Sequence, residues 1–243
     1  MTNLNRIALV TGGNKGIGFE VASKLSEAGC TVILTARNRT LGEGAVSKLK
    51  SSGADVEYAQ LDVCDLDSIA KTYKQVEEKY GRLDILVNNA GIVDRADGPA
   101  STISIDAVEK TLQTNLLGHM RVTQAMLPLL RKSKHASIVN VSSGLGSLTL
   151  NGDENHMCSK VHYVGYCASK AALNMFTVKL AFELRDTHIK VNSADPGYTA
   201  TDLNNNQGYQ SIPEGAAETV RLALIDEKGP TGQYSDKASV LPW

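Results

Sequence analysis

Tyr166 and Lys170 stand four residues apart in Tyr166-Cys167-Ala168-Ser169-Lys170, a spacing that sets a phenol and an ammonium on one face of a helix, one turn apart. Such a pair can move a proton. An unperturbed tyrosine titrates near 10, and a cation held beside it favours the phenolate. Bringing that value to neutral pH needs a shift of roughly three units, about 4 kcal/mol. The same spacing also arises where a ring packs down and a lysine reaches outward to water, so the pair acquires meaning only from the elements that position it.

The 243 residues, 42% of them hydrophobic, suffice for one well-buried core and are short for two domains. A formal charge of −1, with no Lys/Arg block, argues against nucleic acid and against an anionic membrane as partners. No stretch is apolar for long enough to span a bilayer, and the first five residues carry no signal-like apolar region; the expected setting is the cytoplasm. Cys30, Cys64, Cys158 and Cys167 are scattered without a C-x-x-C and read as free thiols. His156, Cys158 and His162 are too loose a group for a metal site, and no metal is expected.

In chain order, Ile7 to Val10 reads as a buried strand running into Gly12-Gly13-Asn14-Lys15-Gly16-Ile17-Gly18 and then a helix from Phe19 to Ala28. Strand, glycine turn and helix start together suit a pyrophosphate, because glycines admit close backbone approach and free amides at a helix start attract an anion. A second strand, Thr31 to Ala36, ends in Arg37-Asn38-Arg39. An acid there would accept from the ribose 2′-hydroxyl of NAD, whereas a base accommodates the 2′-phosphate of NADP; Lys15 and Arg37 could converge on one phosphate. Val56 to Leu61 is a third strand before Asp62-Val63, and a helix follows from Leu66 to Tyr80. Leu83 to Val87 is a fourth strand before Asn88-Asn89-Ala90-Gly91, and Ile138 to Val141 a fifth before Ser142-Ser143. One long helix is expected from Ile105 to Lys132, containing Asn115, and another from Tyr163 to Arg185. The segment from Gly229 to Trp243 reads as a seventh strand and a short tail. Strands alternating with helices predict an α/β fold: a parallel sheet with helices on both faces and ligands at the carboxyl ends of the strands.

Thr11-Gly12-x-x-x-Gly16-Ile17-Gly18, Asn88-Asn89-Ala90-Gly91, Asn115, Ser143, Tyr166-x-x-x-Lys170 and Pro196-Gly197 stand in an order that resembles the short-chain dehydrogenase/reductase family over nearly the whole chain. The wording around Gly12 to Gly18 and Leu34 to Arg37 is most similar to the NADPH-dependent carbonyl reductases. The resemblance implies a single-domain, doubly wound Rossmann-type fold and the NADPH-dependent reduction of an aldehyde or ketone. It assigns Tyr166 as proton donor, Lys170 as the group that lowers its pKa and holds the nicotinamide ribose, Ser143 as a hydrogen-bond donor to the carbonyl oxygen and Asn115 as the link to a water chain. Ser142 is the alternative to Ser143, and Tyr163 to Tyr166. The cofactor, NADPH, would lie on Gly12, Asn14, Lys15, Gly16, Ile17, Gly18, Arg37 and Asn38. Asp62 and Val63 would meet the adenine, and Asn89, Ala90 and Gly91 the adenosine ribose. Tyr166, Lys170, Pro196 and Gly197 would meet the nicotinamide half, with the hydroxyls of Thr199 and Thr201 closing over the amide and diphosphate. Residues 92–103, 145–162 and 198–212 should line the substrate pocket, the last as a lid. A neutral carbonyl compound is the expected small-molecule substrate; a carrier-tethered 3-ketoacyl group and a non-enzymatic NADPH sensor are the alternatives. The insertion at 145–162 is too short to cover the two long helices, which predicts a homo-oligomer through them.

Overall fold

The computed structural model describes residues 5–243 and arranges them about a seven-stranded, wholly parallel sheet. The elements run β1 (Ile7–Val10), α1 (Gly16–Glu27), β2 (Thr31–Ala36), α2 (Arg39–Ser51), β3 (Val56–Gln60), α3 (Leu66–Tyr80), β4 (Ile85–Asn88), α4 (Ile105–Leu112), α5 (His119–Leu130), β5 (Ala136–Val141), α6 (Leu148–Gly152), α7 (Val164–Glu183), β6 (Ile189–Ala194), α8 (Ile212–Ala223) and β7 (Tyr234–Ser235). The strand order is β3-β2-β1-β4-β5-β6-β7. The chain therefore winds outward one way to β3 and returns to start again at β4, leaving a crevice between β1 and β4 where Val10 pairs with Val87. Reversals of this kind are where open α/β sheets bind ligands.

The central strands are apolar throughout because both faces are covered. Along β1, Ile7 and Leu9 enter one core with Ile69 and Val76 of α3, Val122 and Met126 of α5 and Leu180 of α7. Ala8 and Val10 enter a second core with Val21 and Leu25 of α1, Val46 and Leu49 of α2 and Leu222 of α8. The alternation along a single strand thus assigns three helices to each face of the sheet. No helix among the described residues is long and apolar enough to cross a membrane.

Several boundaries differ from the sequence expectation. The helix expected to run unbroken from Ile105 to Lys132 widens into a π-type turn over Gln113–Gly118 between α4 and α5 and closes at Leu130. Such a bulge accommodates an extra residue and recurs at functional sites; this one carries Asn115. The last strand is only Tyr234–Ser235, and α7 starts one residue after Tyr163.

Candidate active site

The loops after β1 and β4 are clamped together. Thr11 N donates to Val87 O at 3.0 Å, and its hydroxyl oxygen accepts from the amides of Asn89 and Ala90 at 2.8 and 3.0 Å. The Asn89 side chain donates in turn to the carbonyls of Thr11 and Gly12 at 2.9 and 3.2 Å. Only glycine suits these positions: Gly12 has φ +64°, and a Cβ on Gly18 would stand 2.4 Å from Asn89 Nδ2. At the start of α1, Lys15 makes no side-chain cap and the first turn has no acidic residue. Its orphan amides and the positive end of its dipole therefore remain open to an anion. The glycine turn so built has the open amides and close backbone approach that a dinucleotide diphosphate requires, and Gly12, Asn14, Gly16, Ile17 and Gly18 are the residues that could hold one.

At the end of β2, Arg37 is exposed, and its guanidinium has no hydrogen bond or ion pair among the described residues. Asn38 caps α2, accepting from Leu41 N at 3.0 Å. Lys15 does not turn toward Arg37: its ammonium lies 2.8 Å from Asp202 in the loop after β6. Beyond β3, Asp62 Oδ1 accepts from Cys64 N at 2.9 Å. Val63 is buried and lies against the π-type turn, where a Cβ on Gly118 would come within 2.6 Å of it.

The reactive side chains gather where β5 meets α7. Tyr166 is 9% exposed, against 48% for Tyr163, so the spacing argument and burial select the same tyrosine. Lys170 is buried, donates to Val141 O at 2.8 Å and places its Nζ 5.5 Å from the centre of the Tyr166 ring. Asn115 is completely buried; it donates to Ile92 O at 2.9 Å and Ser169 Oγ at 3.1 Å, and accepts from Ile92 N at 2.9 Å. Its Oδ1 and Lys170 Nζ both come within 4 Å of Gly91, at 3.6 and 3.8 Å from the position a Cβ would take there. The π-type turn and α7 thus converge on the loop after β4. Ser142 is turned inward with its hydroxyl unpartnered. Ser143 is half-buried, and its hydroxyl accepts from Leu145 N at 3.2 Å.

The electrostatics correct one expectation. Burial, not the lysine, dominates Tyr166 and pushes its pKa up from 10.0, the Ser143 hydroxyl opposing the rise. Burial also brings Lys170 down to about 8, with Asp195 opposing. The phenol is therefore held protonated, as a donor needs to be, rather than half-ionised at neutral pH.

Three neighbours carried no sequence signal. Asp195 is buried, its carboxyl pushed up by burial; it accepts from Gly197 N at 2.9 Å. His119, fully buried, donates from Nε2 to Ala90 O at 2.6 Å. Tyr234 donates to Ser143 O at 2.6 Å and stacks on Trp243 at 5.4 Å. Each acts across more than 25 positions of sequence or from a loop, where periodicity is silent. Beyond Pro196 and Gly197, Thr201 reaches over the glycine turn, its Cγ2 3.8 Å from where a Cβ on Gly16 would stand. The Thr199 hydroxyl, expected over the nicotinamide amide, is instead buried and donates to Pro196 O at 2.8 Å; the tight turn at Gly197 rolls that side chain inward.

A family model described as short chain dehydrogenase matches residues 6–211. Short-chain dehydrogenase/reductase 1 of Saponaria officinalis is 36% identical over 98% of this chain and 96% of its own length. Carbonyl reductase [NADPH] 3 of Mus musculus is 32% identical over the full length of both. The solved structure of salutaridine reductase from Papaver somniferum superposes with a TM-score of 0.83, at 31% identity, over 94% of this chain and 99% of that one. With the glycine turn, the buried Tyr166–Lys170 pair and these likenesses in agreement, the chain belongs to the short-chain dehydrogenase family of nicotinamide-dependent oxidoreductases.

Proposed function

We propose that this protein reduces the carbonyl group of a neutral aldehyde or ketone to an alcohol, with NADPH as cofactor. The observation that carries the reading is the gathering of Ser143, Tyr166, Lys170 and Asn115 at the carboxyl end of β5, beside the glycine turn. The likeness to a protein named carbonyl reductase [NADPH] supports it. Bound NADPH supplies the hydride. The amides at the start of α1, with Gly12 to Gly18, would hold its diphosphate, and Arg37, aided by Lys15, the 2′-phosphate; Asn38, Asp62, Val63, Asn89, Ala90, Gly91, Pro196, Gly197, Thr201 and the backbone at Thr199 would line the rest.

The protein's own task is to meet the negative charge that develops on the carbonyl oxygen. Ser143 donates a hydrogen bond to that oxygen and Tyr166 gives it the proton. Because the nascent alkoxide is more basic than a phenolate, transfer from a phenol kept protonated by burial runs downhill. Lys170, charged below about pH 8, stabilises the phenolate left behind. Asn115 holds the backbone at Ile92, and with it the loop beside Lys170.

Residues 145–162 expose Leu148 and Met157, and residues 198–212 expose Tyr198, Leu203 and Tyr209, which supports an apolar, uncharged substrate. On α7, Met175 and Phe182 are also exposed, at 58% and 66%. They lie two turns apart on one face, which supports assembly as a homo-oligomer through that helix. Loss of NADPH absorbance across a panel of aldehydes, ketones and carrier-linked 3-ketoacyl groups tests the activity. Turnover of free carbonyls is expected; turnover of the carrier-linked group alone, or binding of NADPH without turnover of any, would replace this reading.

A further inference from the structure

Tyr166 is the third residue of α7, in the turn where a helix is least secure, because its first amides have no partner within the helix. The residue before the helix, Tyr163, offers no side-chain cap. The cap comes from elsewhere. Asp97, in the loop between β4 and α4, accepts from Gly165 N through Oδ1 at 2.9 Å and from Tyr166 N through Oδ2 at 2.8 Å. Gly98 O accepts from Val164 N at 3.3 Å. The three amides of the first turn are thus all satisfied by two consecutive residues lying 66 to 69 positions earlier, and the carboxylate sits at the positive end of the helix dipole.

Two further observations show that the fit is built. A Cβ on Gly165 would stand 3.1 Å from Asp97 Oδ2, so the residue preceding the tyrosine is one that admits the carboxylate. The loop is also tied on its other side: Asp94 pairs with Lys110 of α4 at 2.7 Å and accepts from Ala96 N at 2.9 Å.

We propose that Asp97 is a positioning residue for Tyr166, capping the catalytic helix from the substrate-lining loop so that the loop's seating and the tyrosine's placement are coupled. The inference rests on the reading of Tyr166 as proton donor. Removing the carboxylate frees two amides, frays the first turn and lets the phenol leave its place beside Ser143, while the glycine turn that would hold NADPH is untouched.

The test uses the full chain and two variants, Asp97→Ala and the isosteric Asp97→Asn, which keeps one acceptor oxygen. Hydrogen exchange at Gly165 and Tyr166, read by NMR, is expected to accelerate in Asp97→Ala and less in Asp97→Asn, with Leu173 unchanged. The Tyr166 ring resonance, identified by its loss in Tyr166→Phe, is expected to shift or broaden. For the carbonyl turned over best by the unmodified protein, kcat is expected to fall about tenfold or more in Asp97→Ala and by less in Asp97→Asn, the scale of a lost helix cap, with KM for NADPH changed by less than about twofold. Unchanged exchange and an unchanged ring resonance, or an unchanged kcat with accelerated exchange, would overturn the proposal. Should Asp97→Ala not fold, Asp97→Asn decides by the same readouts. Should no carbonyl be turned over by the unmodified protein, the proposed activity fails, and exchange together with the ring resonance still judges the cap.

Discussion

Lys15 Nζ and Asp202 Oδ2 stand 2.8 Å apart, joining the glycine turn to the loop after β6 across 187 positions of sequence. Both side chains are more than 60% exposed, and ion pairs so exposed contribute about 0–1 kcal/mol. A phosphate arriving at Lys15 can therefore displace Asp202 at small cost, while Arg37 needs no partner removed.

On the proposed reading, Arg37 is therefore expected to weigh more than Lys15 in cofactor choice. The unmodified protein is expected to prefer NADPH over NADH, and Arg37→Asp to reverse the preference. A charge-assisted contact of about 1.5 to 3 kcal/mol corresponds to roughly tenfold to a hundredfold in kcat/KM. Lys15→Ala should lower the preference by less. Equal kcat/KM for both cofactors in the unmodified protein would refute this.

On the proposed mechanism, Tyr166→Phe removes a hydroxyl that acts on charge formed only in the transition state. Reduction should fall by about two to four orders of magnitude, with the NADPH dissociation constant nearly unchanged. Retention of a tenth or more of the activity, against this general acid–base scale, would transfer the role to Tyr163, three residues earlier and exposed.

Lys170 titrates near 8 because burial penalises its charge. Its ammonium is present below that value and lost above it. The rate of carbonyl reduction should therefore decline as pH rises through about 8, approaching tenfold per unit. A rate profile flat from pH 7 to 9.5 would show that the charge is not required.

His119 is held down to about 3, first by burial and then by Lys170, against an ordinary value of 6.5. Above 6.5 it is neutral folded and unfolded; between 6.5 and about 3 only the unfolded chain takes up the proton, so stability is lost as pH falls. His119→Gln, which cannot titrate, should be less stable than the unmodified protein at pH 7, and the gap measured by urea unfolding should narrow at pH 5. A gap independent of pH would mean that His119 is not buried neutral.

The residues from 145 to 162 lean toward the chain's last residues, Ser147 donating to Pro242 O at 2.7 Å and Thr149 to Trp243 O at 3.0 Å. They leave Met175 and Phe182 exposed on α7, two large apolar side chains on one face that self-association would cover. Light scattering at micromolar concentration should give the mass of a dimer or larger, and Phe182→Glu should lower it. A monomer mass for the unmodified protein would end the proposal.

The sequence by itself determined what local chemistry controls. Apolar runs, glycine turns and the four-residue spacing of Tyr166 and Lys170 follow from periods of a few residues, so the strand–helix alternation, the parallel sheet and the pairing of Tyr166 with Lys170 on one helix face are legible in the sequence. Tertiary structure alone decided what depends on groups far apart in the chain. The π-type turn at Gln113–Gly118 arises where Val63 packs against Gly118, which no helical period announces. Burial from several elements, not the adjacent lysine, sets the phenol's proton affinity. The pairing of Lys15 with Asp202, the inward turn of Thr199 and the capping of α7 by Asp97 are likewise contacts between loops, whose meeting is set by the packing of the whole sheet and its helices rather than by any pattern within the loops themselves.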